Sequence, residues 1–320
     1  MSLTEKAGHV LGSRISAVLI GMAGSFILFA AYLVIPPAGI FSGLVAPFPA
    51  AYVRMRHGRG PAFIVILGAT AAMTGYFGLA AGTFYLVQCG LIALLMTELL
   101  LKGSSAVRSI AWTTAANTVM LSAAVVFFGM AGGQNVHHMA VDEIHKSVAQ
   151  AVAIYERSGV KGDELAVLKQ TMATAADLVI RMYPSLITIT LIAMAGCNLM
   201  LLRRFAAGMG YQLNIGEFRD YRNPDLMVWL LIAAGFALLA SDRMIATPAM
   251  NVLAIVLVLY FLQGLAVISA VIARQSIAGV LRAGLYIMLL MQPYLAALVA
   301  AIGIFDLWGD FRTPRKQENL

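Results

Sequence analysis

The last apolar stretch of the chain closes with "FDLWGDFR", residues 305–312. Two carboxylates, an arginine and three aromatic rings fall within eight positions there. Asp306 and Asp310 lie four apart, on one face if the helix continues past Gly309. Paired carboxylates could serve acid–base chemistry. Their surroundings argue for a different role. Phe305 and Trp308 sit at a span end, where aromatic rings hold a helix at the water boundary. Arg312 is near enough to neutralise one of the acids. The box, with Asp306, Trp308, Asp310 and Arg312, is expected to anchor the last helix and dock it to another loop.

Two further sets of residues could do chemistry. His138, Asp142 and His145 follow an i, i+4, i+7 pattern, and imidazole and carboxylate on one helix face could share Zn²⁺. No fourth ligand is evident, and a solvated polar face accounts for the same residues, so no metal and no cofactor are expected. The second set is neutral: Tyr85, Gln88, Asn117, Asn198, Tyr260, Gln263 and Gln292 lie deep in apolar runs. Such groups join helices by hydrogen bonds; they would equally bind a neutral or zwitterionic ligand. Gln88, Tyr260, Gln263 and Gln292 form the expected ligand-binding pool. Ionisable residues avoid the span centres, and no chain of buried Asp, Glu and His marks a proton pump. Glu98 precedes Lys102 by four residues, an interfacial ion pair on a helix face.

The elements that must position these residues follow from composition. Of 320 residues, 61% are hydrophobic and 12% charged, and mean hydropathy is +0.85. Soluble domains carry roughly 25% charged residues, so this chain uses lipid as its solvent. The net charge of +7 then reads as topology, not as a nucleic-acid footprint. Cys89 and Cys197 are too isolated for a disulfide framework. The first apolar run has no cleavage site followed by a soluble domain and reads as a retained helix.

A crossing needs about 20 apolar residues. Candidate runs lie at 15–35, 38–53, 61–79, 82–101, 110–132, 183–202, 226–241, 250–273 and 281–305. The expected fold is all-α, a polytopic transmembrane bundle of about 8–9 membrane segments. It divides into N-terminal segments (1–132), an extracytoplasmic amphipathic loop (133–182) and C-terminal segments with a short tail (183–320). Within the loop, Val141, Ile144, Val148, Val152 and Tyr155 recur at helical spacing, as do Leu165, Leu168, Met172 and Val179. "RSGVKGD" breaks them into a hairpin, either a lid or a passive surface element. Basic residues mark one side: Lys6 and Arg14, Arg54 and Arg56 in "RMRHGRG", Lys102 and Arg108, Arg203 and Arg204, Arg219 and Arg222, Arg274 and Arg282. By the positive-inside rule that side, with the N-terminus, faces the cytoplasm. Nine crossings would leave Arg312, Arg315 and Lys316 on the other side. Two runs are suspect: 38–53, with Pro47 and Pro49 after Pro36 and Pro37, and 281–305, with Gln292-Pro293. Either is re-entrant or broken, or is a packed helix merely kinked by its prolines, and broken backbone at membrane depth is tolerated where it lines a site or is covered by protein.

"APFPAAYVRMRHGRGPAF" (46–63) and "VLYFLQGLAVISAVIAR" (258–274), followed by "GIFDLWGDFR", resemble the YybS-like family of bacterial multi-pass membrane proteins, whose function is unknown. The resemblance covers most of the chain. That family in turn is similar in architecture to the substrate-binding subunits of energy-coupling-factor transporters and to MreD-like cell-shape proteins. It implies no catalytic or ligand residues.

No Walker A, His-Glu-x-x-His, Gly-x-Ser-x-Gly or paired-carboxylate signature occurs, so the chain is not expected to be an enzyme, and any transport would use a gradient or a partner ATPase. Two expectations follow. One is a small-solute-binding or transport subunit working with a partner membrane protein or ATPase module; the other is a non-catalytic scaffold of the cell envelope, docking through Arg54, Arg56 and residues 203–225.

Overall fold

The computed structural model describes residues 3–35, 39–132, 136–213, 215–274, 279, 284, 287–289, 292–309, 311 and 312. The described residues are helical, with no strand among them. Among the described residues six helices are long and apolar enough to cross a membrane: Gly12–Val34, Arg59–Phe77, Leu79–Leu101, Ala106–Met130, Asp163–Met209 and Arg243–Arg274. Their outward faces carry large apolar side chains such as Ile20, Leu67, Val126 and Phe127, as lipid-facing surfaces require. The chain divides into two compact units, residues 1–142 with 190–215 and residues 143–189 with 216–320.

In the first unit, α1 (Leu3–Val34) packs against α2 (Gly39–Val45), α3 (Phe48–His57) and α4 (Arg59–Phe77). The run 38–53 is thus two helices of 7 and 10 residues, each too short to cross. Pro47 has no N–H for a helical bond to Gly43 and its ring crowds that carbonyl, so the first helix stops. Gly58, at φ 92°, turns the chain from α3 into α4, a left-handed conformation open to glycine at no steric cost. Next come α5 (Leu79–Tyr85), two consecutive π turns (Leu86–Gly90 and Ile92–Met96), α6 (Thr97–Leu101) and α7 (Ala106–Gly132). Phe29, Ile66, Met73, Tyr85, Met96 and Met194 are fully buried at the centre, with Tyr85 edge-on to Phe29 at 5.3 Å.

The amphipathic helix α8 (Val136–Arg157) is followed by α9 (Asp163–Ala206), one helix of 44 residues. It runs through the boundary drawn at 182/183 without a break, although Pro184 lies inside it. Asn251 accounts for this. Its Oδ1 accepts the Ser185 N–H at 2.9 Å and its Nδ2 donates to the Arg181 carbonyl at 2.8 Å, the two groups a regular helix would pair with each other. A side-chain amide spliced beside the proline satisfies the loosened turn. Lys169 and Glu156 pair at 2.8 Å across the hairpin.

The second unit also holds α10 (Met227–Ala237), α11 (Arg243–Arg274) and α12 (Pro293–Gly309). After Gln292, which is not helical, the last run is a helix from Pro293 to Gly309, and proline is at home in a first helical turn. α11 and α12 touch backbone to backbone. A Cβ on Gly264 would lie 1.9 Å from the Val299 carbonyl oxygen, and one on Gly303 2.0 Å from that of Tyr260. Small residues at such crossings let transmembrane helices approach closely.

Candidate functional site

The first unit gathers buried amides around its π turns. α7 packs against both turns and presents Ser109, Thr113 and Asn117, four residues apart and fully buried, a polar stripe on one helix face. Asn117 Nδ2 donates to the Gln88 carbonyl at 3.0 Å. Gln88 Nε2 donates to the Met194 sulfur at 3.2 Å. Asn198, one turn beyond Met194, donates to the Met194 carbonyl at 2.7 Å and to the Leu44 carbonyl at 2.8 Å. Leu44 lies at the end of α2, and residue 48, its helical partner, lies past the break. Asn198 therefore covers a backbone group that the proline freed.

Each amide has one end engaged. Gln88 Oε1, Asn117 Oδ1 and Asn198 Oδ1 are buried with no hydrogen-bond partner among the described residues. Turning the amides over does not cure this. Asn117 and Asn198 donate to carbonyls, which fixes their orientation, and in Gln88 a flip exchanges an orphan acceptor for an orphan donor. Buried acceptors of this kind cost about 1–3 kcal/mol each. π turns inside α-helices recur at functional sites. This arrangement offers three buried acceptors on residues linked through Gln88 and Met194, chemistry suited to a ligand that donates hydrogen bonds.

The second unit holds the acidic box. Asp306 is completely buried. Its Oδ2 accepts from Gln263 Nε2 at 3.0 Å and from Arg312 Nη2 at 2.8 Å, and its Oδ1 accepts from Arg312 Nε at 3.3 Å. Gln263 Oε1 accepts the Asn223 N–H at 3.0 Å. Arg222 donates to the Asp306 carbonyl, and Arg312 donates to the carbonyls of Arg219 and Tyr221. Asn223 Nδ2 donates to the Leu259 carbonyl, and the Tyr221 hydroxyl donates to Asn223 Oδ1 at 2.6 Å. Burial pushes the Tyr221 phenol up to about 12. The segment 219–223 is thereby latched onto α11 and α12. Phe305 and Trp308 face outward, 61% and 69% exposed, as a belt position demands. Asp310 lies outside the described residues.

The expected ligand pool is distributed over these two places. Gln88 belongs to the first unit, and Tyr260 and Gln263 are buried in the second. Gln292 is exposed at the step into α12. Asn223 and Asn251 escaped notice in the sequence, because one lies in a polar loop and the other follows a proline. His138, Asp142 and His145 are exposed on α8, and no group of three metal-ligating side chains is gathered among the described residues.

Glu98 keeps its helix-face partner and gains two closer ones. Lys102 is 3.9 Å away, whereas Arg54 lies at 2.6 Å and Arg59 closes on the other carboxylate oxygen. The helix-face pair is secondary to a bridge joining α3, α4 and α6. Arg54 is nearly buried in it, and Arg56 stays exposed. The bridge also gathers the basic ends of the first unit. Burial, then the charges of Arg56 and Arg14, lower the His57 imidazole pKa, and Phe205, beside Arg204, packs on Tyr52.

No curated protein and no solved structure matches the chain. The sequence profile of a family described as "Predicted membrane protein (DUF2232)" matches residues 23–307. With nearly the whole helical bundle inside that match, the chain belongs to the DUF2232 family of membrane proteins.

Proposed function

We propose that this membrane protein binds a small, hydrogen-bond-donating solute in its first unit and works as the binding or transport subunit of a larger assembly. One observation carries the reading: three linked, buried amide oxygens, on Gln88, Asn117 and Asn198, lack partners among the described residues. A solute bearing ammonium, amide or hydroxyl donors would satisfy them. Tyr260, Gln263 and Asp306 serve in this view to hold the second unit together. The reading assigns no catalytic step to the chain. The gathering of Arg14, Arg54, Arg56, Arg59 and Lys102 at one end supports a cytoplasmic orientation of that end.

A metabolite screen by thermal shift on the purified, full-length protein tests it. A true ligand at about 100 times its Kd stabilises by roughly 2.7 kcal/mol, and Asn117→Leu should abolish the shift while the variant still folds. A screen without hits, in which Asn117→Leu raises the melting temperature, would count against the reading. That result would favour the scaffold alternative, which draws on the rigid, arginine-bearing segment 219–223. Its partner would then co-purify with wild type and be lost on changing Arg219 or Arg222.

A further inference from the structure

The basic end of the first unit carries a cavity that the solute reading does not use. It measures about 380 Å³ and is lined by Tyr52, Met55, Arg56, Phe205, Gly208, Met209 and Tyr211. We propose that it holds the phosphodiester headgroup of an anionic phospholipid.

Charge points to an anion. Arg56 has no carboxylate within ion-pair distance among the described residues. Glu98 is spent on Arg54, Arg59 and Lys102. Arg203 and Arg204 stand exposed in the last turn of α9, next to Phe205, and add to the local positive field. Basic pockets at helix ends are suited to lipid headgroups, and a guanidinium matches a phosphate with two parallel hydrogen bonds.

Geometry points to a lipid instead of a free ion. Arg56 Nη1 donates to the Tyr52 hydroxyl at 2.8 Å, and its guanidinium lies 6.0 Å from the Tyr52 ring. One face of the guanidinium is thus held in place, and the Tyr52 O–H keeps its own hydrogen to donate. The remaining walls are aromatic or thioether: Phe205 stands edge-on to Tyr52 at 5.8 Å, with Met55, Met209 and Tyr211 around it. Such walls suit a glycerol backbone and the first methylenes of an acyl chain. A hydrated inorganic ion gains nothing from them.

The test uses full-length protein delipidated in neutral detergent, then offered phosphatidylglycerol or phosphatidylcholine, with retained lipid counted by native mass spectrometry. Preferential retention of phosphatidylglycerol is expected, with about a fivefold loss in Arg56→Gln, the worth of one arginine near an anionic surface. Gly208→Leu gives a second arm. Gly208 lines the cavity and a Cβ there meets nothing within 4 Å, so a leucine adds bulk at the cavity wall without a clash and should also lose the lipid. Equal retention of both lipids, or full retention by Gly208→Leu, would overturn the proposal. So would displacement of phosphatidylglycerol by millimolar inorganic phosphate, which would make free phosphate the ligand. None of these outcomes depends on the amide site around Gln88.

Discussion

Gln263 Nε2 donates to the buried Oδ2 of Asp306 at 3.0 Å, one residue from the place where Gly264 brings α11 against the backbone of α12. The amide holds three things together: its oxygen takes the Asn223 N–H, its nitrogen takes the carboxylate, and Arg312 closes the other side. A charge with no access to solvent is tolerated because both of its oxygens face donors, one of them a guanidinium.

Removing that charge strands Arg312 and Gln263. Asp306→Ala should destabilise the protein by about 3–5 kcal/mol, as loss of one partner from a buried ion pair does. The check is the melting temperature in detergent beside that of Asp306→Asn, which keeps the shape and part of the hydrogen bonding and should fall between the two. An unchanged melt for Asp306→Ala would refute the latch.

The crossing of α11 and α12 has no room for a methyl group. Gly303→Ala drives a Cβ into the Tyr260 carbonyl and Gly264→Ala one into that of Val299. Overpacking of this kind costs roughly 1–3 kcal/mol, and a backbone atom yields less than a side chain. Each variant should lower membrane yield and melting temperature, and combining them should cost less than the sum, because the first already pushes the helices apart. Strict additivity would contradict the shared contact.

Tyr221 titrates higher in the folded protein than its ordinary value of 10 because burial disfavours the phenolate. Its contribution is complete below pH 10, where both states are neutral. It declines as pH rises toward 12, since the unfolded chain ionises first. Tyr221→Phe should cost about 1 kcal/mol at pH 8 through loss of the bond to Asn223. The gap between wild type and variant should then narrow, and on the order of 2 kcal/mol is at stake across the alkaline window. Parallel curves from pH 8 to 11 would show that Tyr221 is not held neutral.

Much of this architecture could be read from residue order. A charged fraction of 12% leaves the chain no soluble way to hide its apolar surface, so the membrane and the helices follow from composition. Pro47 marked the break between α2 and α3, and the closeness of Arg312 in the chain marked it as a partner for one of the two acids, because both effects are local. Other partners were out of reach. Glu98 was read with Lys102, its helical neighbour, while Arg54 and Arg59, 44 and 39 residues away, make the closer bonds. Asn251, 66 residues beyond Ser185, holds α9 together past Pro184. A period of 3.6 residues says which side chains share a face, not which face of which other helix meets them. Only the packed bundle decides whether a buried amide such as Gln263 is spent on a neighbour or, like Asn117 Oδ1, keeps an acceptor in hand.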